Sequence, residues 1–458
     1  MATRYVNIDR ETPLLLPPDL RDWVPADHLV HFVIDAVDQV DMKVARVNER
    51  GTGSEQYPPR MLLGLLIYSY ATGMFSSRQI ERATYENVAV RLLCADTHPD
   101  HDTLCTFRRE NAALVGSSFA QVLELAAGCG VLKVGAITVA IDGTKILANA
   151  SKHASVSYEH AERTMRQLDL EVAELLKKAE EADSVPLNDG LTIPAEVQRR
   201  LERKAQLARA RAEMEARAYA RHQELRAEHE ARLAAQKARM AAGEKRGYTE
   251  KPPSGPAPGG SDQYNFTDPQ SRIMKMNGMQ FEQAYNAQAA VEVESRLIVG
   301  QRVATAGTDQ RQLVPSVRAI SPQAGPVKEV LVDGGFYSEA AVAALEAGGG
   351  LRVLAAIKRE THGRTVAQLE RQVDPPPPPP GALMTEQMKY RTRTATGRAR
   401  YKLRQQTVEP TFGIIKEVLG FRRFSLRGEA NVALEWTLVT LAFNLKRLHR
   451  LGAALQAA

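Results

Sequence analysis

The chain has 458 residues, 44% hydrophobic and 25% charged, a length and balance that favour two to four globular units and exclude disordered, collagen-like and disulfide-scaffold classes. Its three cysteines, Cys94, Cys105 and Cys129, are odd in number and form no CxxC pair, so neither disulfides nor a structural zinc is expected. The net charge of +6 is localised: between Lys389 and Arg427 eleven Lys/Arg stand against two Glu, a local +9 that leaves −3 elsewhere, and such a patch suits either a polyanion or a solvated helix face.

The amino-terminal MATRYVNIDRETPLLLPP carries charges where a signal peptide needs an apolar core, and a cytoplasmic location is expected. Asp27, behind Pro25, is placed to cap a helix through LVHFVIDAV, and Pro58 and Pro59 precede a second through MLLGLLIYSYATGMF. That second run, Met61 to Phe75, falls short of the roughly 20 apolar residues that span a bilayer, so no membrane helix is expected. Ser76 and Ser77 can cap a third helix (RQIERATYENVAVRLLCA), and the Asp100 to Asp102 turn a fourth (TLCTFRRENAALVGSSFAQVLELAAG). Residues 1–133 thus read as an all-helical domain. With Arg78, Arg82, Arg108 and Arg109 outward it permits a helix-turn-helix DNA reader; plain helical packing accounts for it equally well.

At Ala136 the pattern changes to ITVAIDGTKI, a β-branched run that reads as a buried strand and opens an α/β core at residues 134–157. The core is interrupted at 158–242 by two long helical stretches around Asn188-Asp189-Gly190. The second, Ala195 to Ala242, lacks Gly and Pro and would be about 72 Å long as one helix. An inserted antiparallel hairpin is expected, followed by a flexible Pro/Gly/Ser linker at 243–263. The core resumes over 264–458. QAYNAQAAVEVESRLIVGQRVAT alternates as strands do, VKEVLVDGGFYSEAAVAALEAG reads strand, turn, helix, and LRVLAAIK reads as another strand. Pro375 to Pro380 form a stiff connection. Gly397 to Leu419 is a basic helical segment, and Leu434 to Leu451 a closing amphipathic helix.

Two predicted strands end alike, in AID142G and LVD333G. Carboxyl ends of strands are where sites assemble in α/β cores, and paired aspartates invite a hard divalent cation such as Mg²⁺. An Asp-Gly after a strand is also an ordinary turn. The candidate third acid is Glu409, in Y401KLRQQTVE409PTFGIIK416. Pro410 places it either at a kink or just before a new helix, whose positive end would favour an ionised carboxylate. Trp436 reads as core or as a plate for an unpaired base.

The string Y-x2-R-x4-E-x6-K, followed by GFRRFSLRG and EWTLVTLAFNLKRL, resembles the DDE-class bacterial insertion-sequence transposases, whose catalytic core is RNase H-like. AIDGTKI, TDPQSRIMK, QAYNAQAAV and VDGGFYS resemble that family in order, and YPPRMLLGLLIYSYATGMFSSRQIE is similar to its helical leader. The resemblance covers nearly the whole chain apart from residues 158–260. It implies an RNase H-like mixed sheet with a helical amino-terminal DNA-binding domain, and Asp142, Asp333 and Glu409 as catalytic metal ligands for two Mg²⁺ ions, replaceable by Mn²⁺. Tyr401, Arg404 and Lys416 would handle transposon-end phosphates, and Arg422, Arg423 and Arg427 the DNA backbone. The activity implied is cleavage at the terminal inverted repeats followed by attack of the freed 3′-hydroxyl on target DNA. Two ends must be brought together, so a homodimer in the synaptic complex is expected, acting on the bacterial nucleoid. The alternatives are a nuclease with the same triad or an inactive, regulatory DNA-binding derivative. One departure stands out: four residues separate Arg404 from Glu409, where the family signature often has three.

Overall fold

A computed structural model describes residues 19–47, 56–133, 135–182, 193–241, 251–276, 278, 280–357 and 374–452. The predicted turn at Asn188 to Gly190, the start of the linker and most of the segment before the proline run lie outside the described residues. By contacts the chain forms two compact units, Met1–Leu147 with Tyr285–Ala458, and Ala148–Ala284.

The first unit opens with helices α1 (Leu29–Asp38), α2 (Pro59–Ala71), α3 (Ser77–Glu86), α4 (Val88–Leu93), α5 (His101–Glu110) and α6 (Ala112–Gly128). The first cap falls on His28, whose Nδ1 accepts from the Val30 N–H at 3.2 Å, rather than on Asp27. Pro59 sits at the first helical position of α2, where its missing N–H is not needed, and Asp100 caps α5 by accepting from the Thr103 N–H at 2.6 Å. The third and fourth expected helices are each broken in two, at Asn87 and Asn111. Asn87 takes an extended conformation and its side chain caps α4 through the Val90 N–H, the local competition that makes asparagine a helix breaker.

The sheet of this unit is built from β1 (Ile137–Leu147), β5 (Phe281–Glu292, from Tyr285 onward), β6 (Ile298–Ala304), β7 (Val327–Val332) and β8 (Arg352–Ala355). Strand β1 lies between β5 and β7, β8 lies beyond β7, and β6 pairs antiparallel with β5. The β1–β7 and β7–β8 pairs are parallel. This is the mixed RNase H-like α/β sheet that the resemblance implies. Helices α9 (Leu313–Arg318), α10 (Glu339–Glu346), α11 (Met384–Arg393), α12 (Ala395–Gly413) and α13 (Glu429–Arg450) complete the unit.

Helix α13 is the pillar of the core, packing on β6, α2, α6 and α1. Trp436 is fully buried and donates its indole N–H to the Gln288 carbonyl at 3.0 Å, which rules out its use as an exposed stacking plate here. The Asn444 amide pairs with both backbone groups of Ile298, at 2.8 and 2.9 Å, as a neighbouring strand would. Tyr70, Phe75, Phe421 and Phe424 form a chain of edge-on rings with centroids 5.0 to 5.3 Å apart, joining the leader helices to the carboxyl-terminal segment. Residues 1–133 therefore share one packed unit with the sheet.

The second unit holds α7 (Tyr158–Ala182), α8 (Ile193–Ala241), the antiparallel pair β2 (Ser155–Ser157) and β3 (Gln263–Asn265), and β4 (Arg272–Lys275), which pairs with residues 281–284. The two long helices pack on each other around Val156, Ala161, Leu207, Ala210 and Met214. The far end of the expected linker is tied down: Asp262 accepts from the Tyr158 N–H at 2.8 Å and pairs with Arg221 at 2.8 Å. No helix among the described residues is long and apolar enough to cross a membrane.

Candidate active site

Parallel pairing of β1 with β7 sets Ile141 opposite Val332, so Asp142 and Asp333 follow in register on strands about 4.8 Å apart. Each carboxylate accepts from the N–H of the glycine after it, Gly143 at 2.8 Å and Gly334 at 2.7 Å. Their strands differ from the sequence expectation in one respect. Asp333 does follow the end of β7, but β1 runs through Asp142 to Leu147. The extension is paired by a segment remote in sequence: Leu147 donates to the Arg422 carbonyl at 3.2 Å and accepts from the Phe424 N–H at 2.8 Å.

Helix α12 lies against β1, β7 and β8. Arg400 fixes it there by pairing with the buried Glu329 of β7 and donating to Thr138 of β1 at 3.3 Å. One turn on, Arg404 donates to Asp142 at 3.1 Å and stands 3.8 Å from Glu409. The guanidinium is only 9% exposed, against 58% for Glu409, so it bridges a half-buried acid to an open one. The extra residue between Arg404 and Glu409 is thus spanned by the long arginine side chain. Burial pulls the Arg404 pKa down, but Asp142, Tyr401, Asp333 and Glu409 together outweigh it and raise it. Burial pushes the Tyr401 hydroxyl up, against the opposing pull of Arg404 and the Ala356 backbone.

Asp142 itself is pushed up to about 6, by burial first and then by its neighbours Asp309 and Asp333, against the opposing pull of Arg404 and the Gly143 N–H. A site that crowds carboxylates until one resists ionising is complementary to a hard cation, whose oxygen ligands are of this kind. Among the described residues no three His, Cys, Asp or Glu side chains are close enough together to hold a metal ion. The donor chemistry fits a divalent cation at Asp142 and Asp333, and Glu409 is joined to that pair through Arg404.

Pro410 does not begin a helix. It lies inside α12, which runs on to Gly413 and passes directly into a π-helical turn, Ile414–Val418. The proline withdraws one N–H from the ladder, and the next turn widens, the Leu419 N–H donating to the Ile414 carbonyl five residues back at 2.9 Å. Glu409 therefore gains nothing from a helix amino terminus. Lys416 sits in the π turn and donates to the Lys145 carbonyl of β1 at 3.1 Å, its pKa lowered by burial and by Arg422. Arg422, Arg423 and Arg427 are exposed on the segment that pairs with the end of β1, with Arg422 in an ion pair with Glu417.

With this geometry in view, two family models match. The Transposase domain (DUF772) model covers residues 18–110, the helical leader, and the Transposase DDE domain model covers residues 381–449, which include α12 and α13. Both matches are to transposase domains, and together they support a DDE-type insertion-sequence transposase. No curated protein and no solved structure matches it. Such domains support a DNA transposase, and Glu409 lies on a helix that the second match spans.

One group near the candidate site escaped sequence reasoning: Asn286, Gln288 and Asp309, packed against Gly143. A signal for it exists in β5, where the polar Asn286 and Gln288 alternate through an otherwise apolar run and are both buried.

Proposed function

We propose that this transposase cuts the DNA at the ends of its element and joins the freed 3′-hydroxyl to a target strand, with Asp142, Asp333 and Glu409 as the catalytic triad. The observation that carries the reading is the register of Asp142 and Asp333 on adjacent parallel strands, with Arg404 linking Asp142 to Glu409. Asp142 and Asp333 would hold the divalent cations, Mg²⁺ or Mn²⁺, that such transposases use, with Glu409 linked to Asp142 through Arg404. When bound, these cations would supply the positive charge that favours deprotonation of the attacking oxygen and stabilises the leaving one.

The chain's own residues do the rest. Arg404 positions Asp142 and Glu409 relative to each other, and its buried Nε–H has no partner among the described residues, a donor suited to a phosphate oxygen. Tyr401 orients that guanidinium from the preceding turn. Lys416 joins the π turn to β1, and its ammonium lies on the basic side that would face the DNA end. Arg422, Arg423 and Arg427 are exposed to neutralise backbone phosphates, a contact that positions DNA without reading its sequence. Two element ends must be held together for the joining step, which makes a homodimer the working assembly.

The test is cleavage of labelled element ends in Mg²⁺ by wild type and by Asp142→Ala, Asp333→Ala and Glu409→Ala. Each variant is expected to lose cutting on the order of 10³-fold while retaining end binding, because the phosphate contacts lie on other residues. Equal cutting by all four proteins would reject the triad. Cutting by wild type without strand transfer would reduce the function to that of a nuclease.

A further inference from the structure

A fourth carboxylate stands at the site without belonging to the triad. Asp309, beyond the end of β6, accepts two hydrogen bonds on Oδ1, from Asn286 Nδ2 and Gln288 Nε2, both at 2.8 Å. These amides come from alternate residues of β5, so they project from the same face of the sheet, and both are about 1% exposed. They converge on Gly143. A methyl group there would lie 2.2 Å from Gln288 Nε2, 2.6 Å from Asn286 Oδ1 and 2.7 Å from Asp309 Oδ1. Three polar groups from two other chain segments thus fill the space a side chain at 143 would need, one residue from Asp142.

Two features separate this cluster from ordinary packing. Both donors to the Asp309 carboxylate are neutral, so they fix its position without cancelling its charge, whereas Asp142 faces the Arg404 guanidinium. The Oε1 of Gln288 is buried and has no partner among the described residues, an acceptor left open in the polar pocket. A charge held by neutral amides beside another carboxylate works against folding. It gains value when a cation arrives, because groups behind the direct ligands orient them and set their field.

We infer that Asp309, held by Asn286 and Gln288, is a positioning residue that strengthens cation capture at Asp142 and Asp333 by fixing a further negative charge behind Gly143. The inference rests on the triad reading given above. Asp309→Asn isolates the charge, since an asparagine keeps an acceptor oxygen of the same shape for the two amides.

The experiment uses the full chain and measures Mn²⁺ binding by calorimetry beside the Mg²⁺ dependence of end cleavage. For Asp309→Asn the Mn²⁺ dissociation constant and the half-saturating Mg²⁺ concentration are each expected to rise about tenfold. Cutting at saturating Mg²⁺ should stay near wild type, and the metal-free melting temperature should not fall below it, since the charge removed opposes folding. Wild-type Mn²⁺ affinity in Asp309→Asn would overturn the inference, including the case in which cutting falls, since that pattern belongs to a merely structural residue. Should Asp309→Asn fold poorly, Asp309→Ser removes the same charge with a smaller acceptor and is judged by the same Mn²⁺ titration. Asp142→Asn, run in parallel, separates the two failures. If it binds Mn²⁺ and cuts as wild type does, the triad falls; if it loses both while Asp309→Asn keeps its affinity, only the role of Asp309 falls.

Discussion

The sheet-bearing unit and the hairpin unit are stabilised by different physics. The first is closed by groups remote in sequence: Trp436 on the Gln288 carbonyl, Asn444 on Ile298, and a run of edge-on aromatic rings from Tyr70 to Phe424. The second adds local terms to pairs between its helices, such as Arg200 with Glu171 and Lys204 with Asp169. Its helices carry i,i+4 ion pairs along open faces, such as Arg226 with Glu230, both 62% exposed, and its apolar seam consists of a few residues, Leu207, Ala210 and Met214 among them. Long-range packing can hold two carboxylates in register to a fraction of an ångström. Helix propensity can build a long arm, but not a site of that accuracy.

Substitutions can sharpen or break this contrast. The largest effect is expected for Trp436→Ala, which empties the centre of the first unit and should cost about 4 kcal/mol, read as a lowered urea midpoint. A loss under about 1 kcal/mol would mean that the closing helix is not the pillar described. A smaller effect follows from the strain at Asp142. Its carboxyl is raised to about 6, so the folded protein holds this proton where the unfolded chain has released it. The resulting stability is complete below the ordinary carboxylate range and is lost as pH rises through about 6. The melting temperature of the metal-free wild type should therefore fall relative to that of Asp142→Asn between pH 4 and 7, and parallel curves would contradict the shift. The smallest effect is expected in the hairpin: Arg226→Ala should change stability by less than about 0.5 kcal/mol. A larger loss would show that the arm depends on specific pairs rather than on propensity.

The contrast also explains what could be read in advance. The hairpin was legible because its signal is local composition over tens of residues, and the leader helices because Pro59 and Asp100 are local punctuation. Asp142 and Asp333 were legible as strand-borne acids, yet the continuation of β1 past Asp142 was not, because its partner is the Arg422 to Phe424 segment far along the chain. Pro410 reads to local rules as either a kink or a helix start. The π turn that absorbs it becomes visible only when Lys416 and the Lys145 carbonyl are seen together. Asp309 carries no local motif: its partners are two amides on another strand and a glycine on a third element, and only packing unites them.

The central claim is that Asp142, Asp333 and Glu409 act as one catalytic unit, and comparing single with combined substitutions tests it most directly. End cleavage would be measured for Asp142→Asn, Asp333→Asn, Glu409→Gln and the triple variant, with end binding confirmed for each. Residues that act together are strongly non-additive. The account predicts that each single variant falls nearly as far as the triple. Losses that multiply from one substitution to the next, or a single variant that still cuts at the wild-type rate, would contradict it.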